Sequence, residues 1–74
     1  MSEPFLSAKR FVVRMRDDKA FREGIIIHRG DPKKLAALLA AENYRFTQAE
    51  FQQALTEVDN LGSLATELRG IIFH

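Results

Sequence analysis

Residues 47–58 constrain the fold of this chain more than any other stretch. Thr47-Gln48-Ala49-Glu50 has the spacing of a capping box, in which the Thr47 hydroxyl and the Glu50 carboxylate each satisfy a free backbone N–H at a helix start. Phe51, Ala54, Leu55 and Val58 follow at i, i+3, i+4 and i+7, and Gln52, Gln53, Thr56 and Glu57 fall on the other side. Phe46 and Phe51 stand at the N′ and N4 positions, which predicts a hydrophobic staple across the start. A segment punctuated in this way is an amphipathic helix, and its apolar face needs other elements to cover it.

Those elements are also helical. Ser2, Glu3 and Pro4 form a helix start, and Phe5, Ala8, Phe11, Val12 and Met15 make one apolar stripe with Arg10 and Arg14 opposite. Asp17-Asp18 ends this helix and caps a second near Lys19, in which Phe21, Ile25 and His28 share a face and Gly30 is the stop signal. Asp31-Pro32 restarts the chain. Residues 33–42 carry Leu35, Leu38 and Leu39 with Ala36, Ala37, Ala40 and Ala41, and so few polar residues predict a central place in the bundle. Residues 59–62 break the capped helix. Leu61, Leu64 and Leu68 line a last short helix, capped by Ser63 and ended by Gly70. The expected fold is all-α, a small bundle of four to five short helices in a single domain over residues 1–74, with 71–74 an apolar tail. One pattern leaves room for a short strand pair: Gly24-Ile25-Ile26-Ile27-His28 resembles Gly70-Ile71-Ile72-Phe73-His74, each a β-branched run after a glycine. The first run also fits a helical turn with Asp18 and Phe21; the second reads as extended or irregular.

A chain of 74 residues buries only about 60% of the surface it exposes when unfolded, and it contains no cysteine, so the apolar core alone must hold it. Absence of cysteine agrees with a reducing compartment. No apolar run approaches the ~20 residues of a membrane span, and Met1-Ser2-Glu3-Pro4 lacks the basic start and apolar stretch of a signal peptide. A cytoplasmic location is expected. Charge is polarised: residues 1–34 hold nine Lys/Arg against five Asp/Glu, and residues 35–74 hold two against five. Such a surface orients a charged partner, or is simply a solvated face.

Residues that carry chemistry are sparse. His28 and His74 are the two imidazoles, without cysteine or a His/Glu pair at ligand spacing, so no metal is expected. Neither standard phosphate-loop spacing occurs, and Ser2, Ser7 and Ser63 have no adjacent base. The chain reads as a non-enzyme without a cofactor. Its expected role is to bind a partner protein, as yet unidentified, through Leu6 and Val13, one heptad apart and off the main stripe, joined by Ile71, Ile72 and Phe73. The plainer account of Leu6 and Val13 is scattered surface hydrophobes. A weak homodimer is a further reading. An alternative function is nucleic-acid binding through Arg14, Arg16, Arg22, Arg29, Lys33 and Lys34, with the second and third helices as a helix-turn-helix. Against it, the reading helix would present leucines and alanines to the bases. A third alternative is a carrier modified at Ser63: Gly62-Ser63-Leu64-Ala65-Thr66-Glu67-Leu68 resembles the segment around the modified serine of acyl carrier proteins, although Gly62 replaces their aspartate and eleven residues follow Ser63.

The order of signals resembles the nitrogen-fixation-associated small-protein family often called Nif-eleven, whose relatives include leader regions of ribosomally made, modified peptides. The residues that carry the likeness are the first helix (residues 5–15), Asp18-Lys19-Ala20-Phe21, Ile25, and Leu38, Leu39 and Ala41 before Tyr44. The family often has Gly-Tyr at that point, and Asn43 stands here for the glycine. Phe46-Thr47, Glu50-Phe51, Leu55, Glu67-Leu68 and Gly70 continue the match. Leader members end at a double glycine where an exporter-linked protease cuts. Ile71 follows Gly70 here, and no Cys, Ser or Thr comes after it. The resemblance therefore implies a stand-alone member, akin to the nitrogen-fixation-linked branch of unresolved function, whose partner is a maturation enzyme or a nitrogen-fixation-linked component.

Overall fold

A computed structural model describes residues 3–73; the Ser2 cap and His74 lie outside the described residues. Among the described residues the chain forms five helices and no strand: α1 (Glu3–Asp17), α2 (Lys19–Ile26), α3 (Pro32–Ala41), α4 (Gln48–Glu57) and α5 (Leu64–Arg69).

The helix starts are built by the side chains that the patterning singles out. Asp18 Oδ1 accepts from the Phe21 amide at 3.1 Å, and Asp31 Oδ1 accepts from the Lys34 amide at 3.1 Å with Pro32 at the first helical position. Both arms of the capping box form: the Glu50 amide donates to Thr47 Oγ1 (3.2 Å), and the Thr47 amide donates to Glu50 Oε1 (2.8 Å). Phe46 stacks on Phe51 with ring centroids 6.0 Å apart, so the staple is in place. Ser63 behaves differently from expectation. It sits in the right-handed helical region (φ −68°, ψ −17°) and its hydroxyl caps nothing, because a capping serine needs an extended backbone to reach over the first turn. Gly30 is not the stop of α2 either; the helix ends at Ile26 and a turn runs through residues 27–30.

The core centres on α1 and α4, which form the most extensive helix pair; α2 packs on α1 and α5 on α4. The whole α1 stripe is buried: Phe5, Ala8, Phe11, Val12 and Met15. It meets Phe51, Ala54 and Leu55 of α4, Ile25 of α2 and Leu68 of α5 in one cluster. Phe11 is its hub, with five aromatic rings at centroid distances from 5.2 to 5.9 Å: Phe21, Tyr44, Phe46, Phe51 and Phe73. The central place expected for α3 is not found. Only Leu35 and Leu39 of α3 are buried, Leu38 is half-buried, and Ala36, Ala37, Ala40 and Ala41 are exposed. A methyl group offers little area to bury, so an alanine face is left outside when the larger stripe of α1 fills the centre.

The strand pair is also not found among the described residues. Gly24, Ile25 and Ile26 complete α2, with Ile25 in the core, and the tail passes over the bundle as irregular chain. Its backbone pairs instead with one side chain. Gln48 Nε2 donates to the Ile71 carbonyl (3.1 Å) and Gln48 Oε1 accepts from the Phe73 amide (3.1 Å). This amide clamp satisfies the polar groups that a neighbouring strand would otherwise serve, and it lets Ile71 and Phe73 enter the core. No helix among the described residues is long and apolar enough to cross a membrane.

Candidate functional site

The stripe that buries α1 leaves its outward side to Leu6, Lys9, Arg10, Val13 and Arg14, which together line one shallow groove. The floor is apolar: Leu6 is 37% exposed and Val13, two turns further on, is half-buried. The rim is basic. The Lys9 ammonium lies 5.7 Å from the centre of the Phe5 ring, and Arg10 is exposed with no carboxylate partner among the described residues. Arg14 closes the far end and is held in place. Its guanidinium lies 4.0 Å from the Phe21 ring centre and pairs with Asp18 (3.6 Å) and Glu42 (3.3 Å). Hydrogen bonding to Tyr44 and then Glu42 raises its pKa well above the ordinary range for arginine.

The tail residues expected to join this surface are placed elsewhere. Ile71 and Phe73 have their side chains in the core, where they pack rather than present themselves. Ile72 is 55% exposed but does not line the groove.

The six basic residues of the nucleic-acid reading divide into two sets. Arg14, Arg16 and Arg22 are engaged within the fold. Arg16 Nε and Nη2 donate to Asp17 at 2.7 and 2.9 Å and Nη1 donates to the Asp59 carbonyl at 3.0 Å. That pair holds the Asp17 carboxyl below the usual carboxylate range. Arg22 Nη1 donates to the Met15 and Arg16 carbonyls (3.0 and 3.1 Å), which serves the otherwise open C-terminal end of α1. Arg29, Lys33 and Lys34 are exposed and form no ion pair among the described residues. Ser63, the residue of the carrier reading, is exposed in the loop before α5.

Two arrangements lie outside the expected caps: a long-range contact that local patterning cannot signal, and a left-handed residue whose signal is an asparagine just after a helical run. The Ser7 hydroxyl is buried and accepts from the Arg45 amide (2.9 Å), tying the α3–α4 connector to α1 across 38 residues. Asn43 adopts φ +63° immediately after α3, the left-handed conformation usual for a glycine at a helix C-terminal end. No protein-family model, curated protein or solved structure matches this chain.

Proposed function

We propose that this chain is a protein-binding module, a Nif-eleven-like helical domain that receives an acidic amphipathic segment of a partner protein on the outward side of α1. The observation that carries the reading is the groove itself: an apolar floor of Leu6 and Val13 lies beside two cations, Lys9 and Arg10, that no carboxylate among the described residues neutralises. A helix or extended segment with apolar residues along one side and Asp or Glu beside them fills the floor and pairs with the rim. The chain performs no catalytic step of its own in this reading. Support for the family resemblance comes from Asn43, whose left-handed backbone stands where that family often places glycine. The partner is then a peptide-maturation enzyme or a nitrogen-fixation-linked component.

The test is site-specific photo-crosslinking in the native cells from positions 6 and 13, compared with a photoreactive residue at Thr56 on the exposed side of α4. One partner joined at 6 and 13 through an acidic segment, absent from position 56 and lost in Arg10→Glu, is the expected result. Capture that survives Leu6→Asp and Val13→Asp in a folded protein overturns the reading.

A further inference from the structure

A second depression lies on the side of the molecule formed by the end of α1, α2, the 58–63 loop and α5. It is open to solvent, has a volume of about 370 Å³, and is lined by Arg16, Arg22, Asn60, Ser63 and Glu67, with Leu61 and Leu64. The donors along it are poorly used by the fold. Arg22 spends only Nη1 on the α1 carbonyls; its Nε and Nη2 have no acceptor among the described residues, and no carboxylate pairs with it. The Asn60 amide and the Ser63 hydroxyl likewise make no hydrogen bond among the described residues. Arg16 is different, since Asp17 already offsets its charge.

We propose that this depression binds a phosphoryl-type oxyanion, with Arg22 as the charged anchor and Asn60 and Ser63 as neutral donors. The chemistry follows from the inventory. A guanidinium whose position is set by two backbone carbonyls keeps a planar edge of N–H donors for a tetrahedral anion, and a charge-assisted pair of this kind is stronger than a neutral one. A primary amide and a hydroxyl supply further donors without adding charge. A cation is disfavoured, because Glu67 is the only carboxylate on the lining among the described residues. Glu67 therefore opposes the anion and sets the affinity from the rim. The groove on α1 shares no residue with this depression, so failure here leaves the protein-binding proposal intact.

The experiment is an NMR titration of the full chain with inorganic phosphate, and in parallel with O-phosphoserine, at constant ionic strength. Saturable shifts are expected at the amides of residues 59–64 and at the Arg22 side-chain N–H, and not at Lys33 or Lys34. Tighter binding of O-phosphoserine identifies the source as a phosphorylated side chain of a protein; tighter binding of inorganic phosphate identifies a free ion. Arg22→Gln should weaken binding roughly tenfold or more. Because that change also releases two helix-end carbonyls, Asn60→Gly and Ser63→Ala provide variants that keep the fold: glycine accepts the φ +65° of Asn60, and the Ser63 hydroxyl makes no hydrogen bond among the described residues. Each should weaken binding severalfold, and Glu67→Gln should tighten it. Shifts that never saturate, or that are unchanged in Asn60→Gly and Ser63→Ala, overturn the proposal.

Discussion

Replacing Phe73 by alanine tests whether the tail is part of the core. The ring is 3% exposed and meets Phe51 at 4.8 Å and Phe11 and Phe46 at 5.5 Å, all edge-to-face. Truncating a core phenylalanine to alanine costs about 3–5 kcal/mol. Phe73 lies on irregular chain that can settle into the space, so the low end, about 3 kcal/mol, is expected. For a chain of 74 residues total stability is about 4–11 kcal/mol, so the loss is a large share of it. With a urea slope of about 1 kcal/mol/M for so small a domain, the unfolding midpoint followed by far-UV circular dichroism should fall by about 3 M. Ile72→Ala is the internal control: that side chain is 55% exposed, and its loss should move stability by less than about 0.5 kcal/mol. Gln48→Ala removes both arms of the clamp and should cost about 1–3 kcal/mol, at 0.5–1.5 for each hydrogen bond. If Phe73→Ala and Ile72→Ala lower the midpoint equally, the tail is not docked and the clamp argument fails.

Three further outcomes are expected. Asn43→Ala should lower the melting temperature, at a cost of about 1–2 kcal/mol for an alanine at φ +63°, whereas Asn43→Gly should leave it unchanged or raise it. Thr47→Ala should cost about 1 kcal/mol in chemical denaturation, since the Glu50 amide loses its acceptor at the start of α4. Arg16 holds the Asp17 carboxyl below its ordinary value, so ionised Asp17 adds stability above about pH 4 that is lost as pH falls through the lowered value. The effect is small because the pair is largely at the surface. Arg16→Gln should narrow the difference in melting temperature between neutral and strongly acid solution, and an unchanged difference would show that the pair contributes nothing.

What could be read without coordinates is what acts over a single turn. Thr47 with Glu50, Asp18 with Phe21 and Asp31 with Lys34 are partners three residues apart, so their spacing is enough to place three helix starts. The apolar stripe of α1 and the off-stripe position of Leu6 and Val13 follow from the 3.6-residue period in the same way. Docking is different, because it depends on which faces meet. Gln48 reaches Ile71 and Phe73 across 23 and 25 residues, and Ser7 reaches Arg45 across 38; no local pattern encodes either. The same reason accounts for the misplaced elements. An alanine-rich helix reads as central from composition, yet α3 lies at the edge once α1 and α4 meet. Ile71 and Phe73 read as an apolar tail that joins the partner-binding surface, whereas the structure turns their side chains into the core. Arg22 of α2 and the 58–63 loop with Asn60 and Ser63 are far apart in the chain, and only tertiary packing brings them onto one depression. Residue type and local spacing therefore determined the helices, the caps at Asp18, Asp31 and Thr47, and the outward face of α1. The tertiary structure alone decided what is core, because burial is a property of two surfaces brought together and not of either one.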